Sequence, residues 1–449
     1  MKLVKMSLAA AMLMGASAYA IDNVKASGTA SLFYTTQDNS QYMTTNTPDM
    51  FSKEASAADF ALSLGVTADL TTGVSAGVTA YAVSTLGVEG SLVNGVWSGA
   101  HGVSDNANSG FLGGAGGLTT GVEVDDAYWV GEAWVAGTVG KTTAKLGRMA
   151  LDTPLAFTET WGITPNTFEA AVVMNQDIPD TTLVGAFVGK YNGGNAVTDG
   201  VENTVTLAPQ FGGTTVSLGN MGMGIVGVGG KFHNFYNSGA FALAAVNNSW
   251  KPLTVQGWYY ELPSVAEAYW LQADLNIEGI LAGVQYANID ASEALGAGTQ
   301  DDKAYALMVG YALKDVATFK FAYSEVDDQG GLGSVNNLAT STGQSKLYTE
   351  LWWNFAAGNT GTETYALTAE GTAGGVDLFA GYYDAETDPF GGLLDTTEVT
   401  EFVVTAGKDF GPLNATLALI YDEFDQNAVW TAGQTQDSTI FQAYLTYNF

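Results

Sequence analysis

The sequence contains no cysteine and only one arginine, and its 449 residues carry few positive charges of any kind. The absence of cysteine excludes disulfide bonds, thiolate metal sites and cysteine nucleophiles. Lys and Arg together number 15 against 46 Asp and Glu, so the formal net charge is −31. Because nucleic acid phosphates are bound by Lys and Arg, this balance argues against nucleic acid as a partner and favours cations or basic solutes.

Long apolar runs are also missing, apart from a short one in residues 1–20, "MKLVKMSLAAAMLMGASAYA". Two lysines precede that run, which ends in Ala18-Tyr19-Ala20, a pattern typical of a cleaved secretory signal. The run is shorter than the roughly 20 apolar residues that a spanning helix requires. We therefore expect a signal peptide at 1–20 and a single mature domain at 21–449.

Period-two alternation dominates the mature chain, and 56 glycines with only 9 prolines fit a strand-rich protein. In "FALSLGVTADL" (60–70), Phe60, Leu62 and Leu64 alternate with small or polar residues, and the terminal "FQAYLTYNF" follows the same pattern. Segments of about 10 to 13 residues match strands that cross a bilayer at a tilt, whereas strands of soluble sandwiches are shorter.

Tight joints and long loops alternate along the chain, as they do in outer-membrane barrels. The tight joints include 71–72, 178–180, 314–315 and 411–412, and the long loops include 37–57, 87–122, 149–167, 191–238, 290–301, 327–361, 386–397 and 424–437. This rhythm predicts an all-β protein, a transmembrane antiparallel β-barrel of 18 strands. The strand-like "KLYTELWWNF" (346–355) would break the rhythm, so we assign it to a hairpin or strand extension within a long loop. If that assignment is wrong, the count becomes 16 or 20.

Four stretches carry a family resemblance: "LGRMALDTPLAF", "TPNTFEAAVVMNQDIPDTTLVGAFVGKYNG", "AYWLQADL" and the terminal "AYLTYNF". They resemble the major outer membrane porins of the Campylobacter group, most strongly over 145–192 and 252–289. The resemblance implies an 18-stranded, often trimeric barrel in the bacterial outer membrane, with a third loop folded into the lumen. It also implies a preference for cations and a bound divalent cation. A pore eyelet lined by several arginines cannot be inferred for this chain from the resemblance, because Arg148 is its single arginine.

The predicted third loop and pore constriction span residues 149–167, where Pro154 and Pro165 restrict the backbone. Alternation on the preceding strand assigns Trp129, Ala133 and Val135 to the lipid face. Its inward-pointing residues are then expected to be Asp126, Tyr128, Glu132 and Trp134. The complete set of predicted constriction residues is Arg148, Asp152, Glu159, Asp126, Glu132, Lys141 and Lys145.

Arg148 has two compatible interpretations. It is a cation of the pore eyelet, or it fastens the loop to the wall through a bidentate pair with Asp152 or Glu169. A divalent cation such as calcium is a further hypothesis, because hard cations prefer carboxylate oxygens. Its candidate ligands are Asp126, Asp152 and Glu261. No cofactor is required for the predicted function.

The sequence favours a passive, cation-preferring diffusion channel for small hydrophilic solutes. The expected partners are outer-membrane lipid and lipopolysaccharide, small hydrophilic or cationic solutes, and further copies of the chain in a homotrimer. We do not expect an enzyme, because His101 and His233 fall in separate loops and no catalytic set is apparent. The alternatives are a substrate-selective outer-membrane channel and a structural surface-layer or adhesin protein.

Overall fold

Eighteen antiparallel strands form one closed barrel in the computed structural model of the chain. The structure describes residues 22–38, 49–103, 124–193, 202–206, 215–220, 225–293 except 237, 300–339 except 331 and 333, 343–388, 396–426 and 434–449. The expected signal peptide lies outside these residues. The barrel strands, numbered β1 to β18 in chain order, are Asp22–Gln37, Ser56–Thr71, Val74–Ser84, Ala127–Val139, Thr142–Met149, Phe168–Asn175, Thr181–Tyr191, Ala240–Asn247, Leu253–Leu262, Ala266–Ile277, Ile280–Ala291, Asp302–Leu313, Ala317–Val326, Thr362–Ala373, Val376–Thr387, Thr397–Phe410, Leu413–Gln426 and Gln434–Asn448.

Several shorter elements accompany the barrel strands. They are the strand pairs Gly102–Val103 with Val124–Asp125 and Glu202–Thr206 with Thr215–Asn220, the two-residue strand His233–Asn234 beside β7, and the 3-10 helices Lys53–Ala55 and Val228–Gly230. Within the described ranges, no helix is long and apolar enough to cross a membrane.

The barrel closes where the first strand pairs with the last. β1 pairs with β2 on one side and with β18 on the other, and Leu32 stands opposite Leu445. Gly28 and Phe449 exchange two backbone hydrogen bonds of 2.7 and 2.9 Å between N–H and C=O groups. A closed barrel leaves no unpaired edge, which is the condition for strands to span hydrocarbon. The predicted count of eighteen antiparallel strands is confirmed.

Alternation along each strand places apolar side chains on the outer face. In β12, Tyr305, Leu307 and Val309 are exposed outside, whereas Ala304 and Ala306 are buried toward the interior. Tyrosine and phenylalanine recur on the outer faces near strand ends, where interfacial aromatic residues of membrane barrels lie. The outer aromatic residues include Tyr269, Tyr286, Tyr305, Tyr365, Tyr382 and Tyr421 toward one rim and Tyr311, Phe319, Phe410 and Phe449 toward the other.

Tight joints occupy one rim, here named the turn side, and the longer loops lie at the other, the loop side, where residues 263–265 also form a three-residue joint between β9 and β10. β10 and β11 are joined by Glu278 and Gly279 alone, with φ of 52° and 88°. These angles suit a two-residue hairpin turn, and a Cβ at Gly279 would lie 2.6 Å from the carbonyl oxygen of Ala312. The loops used below are L2 (85–126), L3 (150–167) and L7 (327–361), of which only the described residues are discussed.

The strand-like segment 346–355 belongs to L7 and contributes no strand to the barrel. The predicted long-loop location is therefore right, but the segment is neither a hairpin nor a strand extension. Its backbone N–H groups bond to side chains of the inner wall instead of to a neighbouring strand. Tertiary contacts inside the barrel thus override its local β propensity.

Candidate functional site

L3 leaves the wall after β5 and turns into the barrel interior, as predicted. Leu155 and Phe157 are buried there, and the backbone N–H of Leu155 donates to the hydroxyl of Tyr260 on β9 at 3.4 Å. Within the loop, Thr153 caps a tight turn by accepting from Ala156 N–H and donating to its carbonyl. L3 is therefore a packed element of the interior with a defined path.

L3 is joined to L7 by a set of hydrogen bonds around Asn337. The Asn337 side chain accepts from the N–H of Phe157 at 3.1 Å and donates to the Phe157 carbonyl and to Glu159 Oε1, each at 2.9 Å. The backbone N–H of Leu338 donates to the Leu155 carbonyl at 2.8 Å. The constriction is therefore built from two loops, whereas the sequence predicted one.

The tip of L7 is fixed to the wall by Glu401 of β16, whose side chain is fully buried. Its carboxylate accepts from the backbone N–H groups of Trp352, Trp353 and Asn354 at 2.7, 2.9 and 2.9 Å. The Asn354 side chain also donates to Asp422 of β17 at 2.9 Å. Charge-assisted bonds to three successive amides hold this segment in one position.

The same loop is bound to the wall formed by β10 and β11. Gln285 of β11 donates to the carbonyl of Lys346 at 2.9 Å and accepts from the N–H of Tyr348 at 3.1 Å. The Tyr348 hydroxyl donates to Asp274 of β10. L7 therefore lies against the inner wall on both sides of its own strands, from β10 and β11 to β16 and β17, and narrows the opening.

L2 reaches the same place through Trp97. Its ring stacks on Trp353 of L7 at 5.8 Å between centroids, meets Trp161 of L3 edge-on at 5.6 Å, and lies 4.4 Å from Phe33 of β1. Aromatic pairs of this geometry contribute beyond their buried area. We name the contact of Trp97, Trp161 and Trp353 the tryptophan junction.

His101 anchors L2 to the wall. Its Nε2 lies 2.9 Å from Asp59 Oδ1 of β2, and its Nδ1 lies 2.9 Å from the carbonyl oxygen of Asp125. Both ring nitrogens face acceptors, so the imidazolium, which donates from both, fits the site. Burial alone would lower the pKa of His101, but the hydrogen bond and charge of Asp59 raise it above the usual value.

Asp152 and Lys346 form the charged pair that connects the exposed surfaces of L3 and L7. Lys346 Nζ lies 2.8 Å from Asp152 Oδ1 and 4.5 Å from the ring centre of Phe157. The Asp152 side chain is 87% exposed. In contrast, Glu159 is 1% exposed and accepts from Trp161 Nε1 at 2.8 Å, so it is a buried joint residue and the prediction of an eyelet anion there is wrong.

Arg148 pairs with Glu169, one of the two carboxylates predicted for it. Arg148 Nε and Nη2 lie 3.0 and 2.9 Å from Glu169 Oε1, and Nη1 donates to the carbonyl of Val130 at 2.9 Å. The neighbours Met149 and Phe168 are buried inside the barrel, so alternation directs Arg148 and Glu169 to the outer face. The arginine therefore braces the wall, and its expected place in the pore eyelet is wrong.

Arg148→Ala is expected to lower the temperature at which the barrel unfolds in SDS, because the bonds from β5 to β6 and β4 are lost. The effect is modest, about 1 kcal/mol, since the pair is partly exposed. Arg148→Lys, which keeps the charge without the planar fork, should recover part of the loss. Ion selectivity should not change, and a rise in cation preference would place the guanidinium in the pore after all. Heat-dependent mobility in SDS gels and reversal potentials measure the two effects.

A β-bulge at Gly131 reverses the side-chain alternation predicted for β4. Thr79 pairs with Glu132 and Ala80 with Val130, so Gly131 has no partner in the ladder. A Cβ at Gly131 would lie 2.6 Å from the Tyr81 ring. Bulges of this kind insert one residue and shift the faces beyond it.

The predicted faces are right after the bulge and wrong before it. Glu132 and Trp134 point inward, as predicted. Tyr128 is 60% exposed on the outer face, whereas Trp129 is 9% exposed and stacks with Tyr81 inside the barrel. Asp126 is exposed and precedes the bulge. It lies two residues before Tyr128, so strand alternation directs it to the same outer side and away from the constriction.

The two lysines predicted for the constriction lie in different parts of the barrel. Lys145 points inward on β5, with its Nζ 4.4 Å from the ring centre of Trp134. Lys141 is exposed in the tight joint between β4 and β5 on the turn side, so its placement at the constriction is wrong. The structure places this joint at residues 140–141, between Val139 and Thr142, so Lys141 lies outside both strands.

The three candidate ligands of a divalent cation do not form a cluster. In the described part of the chain, no group of three His, Asp or Glu side chains is arranged to hold a metal ion. Asp152 binds Lys346, and Glu261 accepts from the hydroxyl of Tyr259 at 2.8 Å. Tyr260 and Leu262 are buried toward the interior, so Glu261 lies on the outer face and does not fit a ligand set in the lumen.

Sequence reasoning missed the residues that hold L7, chiefly Asn337, Glu350 and Glu401. An acid on the inner face of a barrel strand is ordinary, so nothing in the pattern around Glu401 distinguishes it from a pore-lining charge. The signal that points to them is the apolar "LWW" at 351–353, which is unusual in a solvated loop. Such a segment favours burial, and Leu351 is buried inside the barrel.

No protein-family model matches the chain, and no curated protein matches it. Solved structures from Pseudomonas aeruginosa share its fold. OccD3 (OpdP) has a TM-score of 0.64 at 13% identity, covering 96% of this chain and 92% of that one. OccK8 (OprE) has a TM-score of 0.63 at 13% identity, with coverage of 96% and 99%. OpdQ has a TM-score of 0.62 at 14% identity, with coverage of 95% and 97%.

These similarities establish the 18-stranded barrel fold and nothing finer, because the identities are low. The fold agrees with the one implied by the sequence resemblance. Membership of the Campylobacter porin group stays a prediction.

Proposed function

We propose that the chain is an outer-membrane channel through which small hydrophilic solutes diffuse passively, with a preference for cations. The supporting observation is a closed barrel with an apolar outer surface and loops that converge inside it. Such a barrel has a wall suited to lipid and an interior that only a restricted opening crosses. The turn side then faces the periplasm, and no catalytic step is part of the proposal.

Cation preference is supported by the charges on the inner face. Two inward lysines of the wall lie beside acids, Lys145 near Glu132 and Lys320 bonded to Glu370 at 3.0 Å. Further acids of the described inner face are bonded to neutral donors. They include Asp274, Glu401 and Asp422. A lumen with excess negative charge attracts cations and repels anions.

Asp152→Asn is expected to reduce the cation-to-anion permeability ratio by a factor of about two to five, since one exposed charge at 4 Å in water is worth about 1 kcal/mol. It removes the exposed acid of the constriction and leaves the charge of Lys346 unbalanced. The measurement is the reversal potential in a planar bilayer under a KCl gradient. Glu398→Gln, which changes an exposed acid beside the buried Val399, is the matched control. Equal shifts in both variants would argue against a role for Asp152.

A substrate-selective channel is a second candidate, favoured by a cavity of about 250 Å³ between L3 and the wall at β1 and β18. Its lining includes Phe33, Thr160, Ile163 and Tyr444, a mixture of aromatic, aliphatic and hydroxyl groups. Apolar walls with a few polar groups are typical of small-molecule sites. Block of the ion current by one solute at low concentration, and not by its isomers, would support this candidate.

The surface-layer or adhesin alternative gains no support from a closed barrel with an outer apolar band. Extraction separates the two directly, because a chelator releases a surface layer whereas detergent is required for a barrel. The expected partners remain proposals: outer-membrane lipid and lipopolysaccharide around the barrel, and two further copies in a homotrimer. Calcium is not part of the proposal, because its candidate ligands do not cluster.

A further inference from the structure

Glu350 is a partly buried acid of L7 that the channel proposal does not use. It lies between the segment that Gln285 holds and the segment that Glu401 holds. Ser345 donates to Glu350 Oε2 from its backbone N–H at 3.0 Å and also from its hydroxyl. The other oxygen, Oε1, is buried and has no hydrogen-bond partner among the described residues. A carboxylate in this position would be poorly satisfied, because one of its two oxygens lacks a donor.

Three titratable groups of neighbouring elements act on Glu350. Glu159 comes from L3, Glu401 from β16, and the phenol of Tyr383 from β15. The nearest hydroxyl donor in L7 is Ser345. None of these groups supplies a positive charge, so ionisation would place like charges close together around the buried Oε1 of Glu350.

Burial raises the pKa of Glu350 to about 8, the bonds from Ser345 oppose the rise, and the charges of Glu159 and Glu401 add to it. Glu350 is therefore protonated at neutral pH while L7 is docked. If L7 leaves the wall, Glu350 returns to water and to the usual pKa of a glutamate. Docking is therefore fully favoured below that usual pKa and is lost as the pH rises through about 8.

The residues next to Glu350 connect it to the wall and to the constriction. Its neighbour Thr349 bonds to Ser324 of the wall, and the next residues Trp352 and Trp353 are held by Glu401. Trp353 belongs to the tryptophan junction, where L2 and L3 meet L7. A loss of L7 docking therefore frees one side of the constriction.

We propose that L7 is a pH-responsive gate, released from the wall when Glu350 loses its proton, so that the channel opens further in alkaline solution. This inference rests on the proposed channel function. It assigns control of the opening to the joint between L3, L7 and β16, with Glu350 as the positioning residue of the closed state.

The test is single-channel recording of the full barrel in planar bilayers at several values between pH 6 and pH 9, at constant salt. Linkage makes the ratio of open to closed states rise by up to about tenfold per pH unit below about 8. Wild type is expected to spend a growing share of time in a higher-conductance state. Glu350→Gln, which keeps the shape and stays neutral, is expected to hold the low-conductance state throughout this range.

The matched control is Glu363→Gln, an exposed acid on β14, which should respond to pH as wild type does. A wild-type conductance that is flat from pH 6 to pH 9 would overturn the proposal. A response that persists unchanged in Glu350→Gln would also overturn it, because another group would then be responsible. Absence of channel steps at every pH is a different result, which contradicts the channel function itself.

Discussion

Glu401→Ala is expected to raise the single-channel conductance strongly, by releasing the tip of L7 into the lumen. Three backbone N–H groups, of Trp352, Trp353 and Asn354, lose their acceptor inside the barrel. Each unsatisfied buried donor costs about 1 to 3 kcal/mol, so together they outweigh the packing of the short segment. Conductance and the largest neutral polymer that still reduces it measure the widening.

Two further variants serve as comparisons for Glu401→Ala. Glu401→Gln keeps one acceptor oxygen but directs an amide NH₂ at the same donors, so an intermediate conductance is expected. Glu398→Ala removes an exposed acid three residues earlier on the same strand and should leave conductance unchanged. Equal conductance in wild type and Glu401→Ala would show that L7 does not limit the opening.

Asn337→Ala is expected to have the second largest effect, because it uncouples L3 from L7. The substitution removes the acceptor of Phe157 N–H and the donor to the buried acid Glu159. Truncation leaves those groups without their partner in a site where the side chain is 3% exposed. We expect larger conductance and rapid current fluctuations, because L3 and L7 can then move independently of each other.

Asn336→Ala is the matched control for this change. Asn336 donates to the side chain of Asn359 at 2.9 Å within L7, and no bond from it to L3 is seen in the described residues. Its conductance should stay close to that of wild type. If both variants behave alike, the L3–L7 joint has no special role and general loosening of L7 accounts for the effect.

The wall of the barrel was predictable from the sequence because local rules determine it. Alternation with period two, tight joints at every second connection and an apolar outer face fix the strands and their number. The exception is Gly131, where a bulge inserted one residue and exchanged the faces of Tyr128 and Trp129. The alternation of apolar and polar residues around Gly131 is compatible with a regular strand and with a bulge. The position of the bulge depends on the close contact between Gly131 and the Tyr81 ring, which the local sequence does not indicate.

The constriction was predictable only in part because distant segments build it. L3 follows from the position of the third long loop, but Glu159 forms its bond with Asn337 across 178 positions of sequence. No local pattern encodes such a pair. Arg148 illustrates the same limit: the ion pair with Glu169 was anticipated, whereas the face on which it lies depends on the register of three strands.

The most direct test of the channel proposal is a recording of the purified, refolded barrel in a planar bilayer under a KCl gradient. The proposal predicts stable conductance steps and a reversal potential whose sign shows that cations permeate more readily than anions. Absence of steps from correctly folded, heat-modifiable protein, or a reversal potential of the sign for anions, would contradict it.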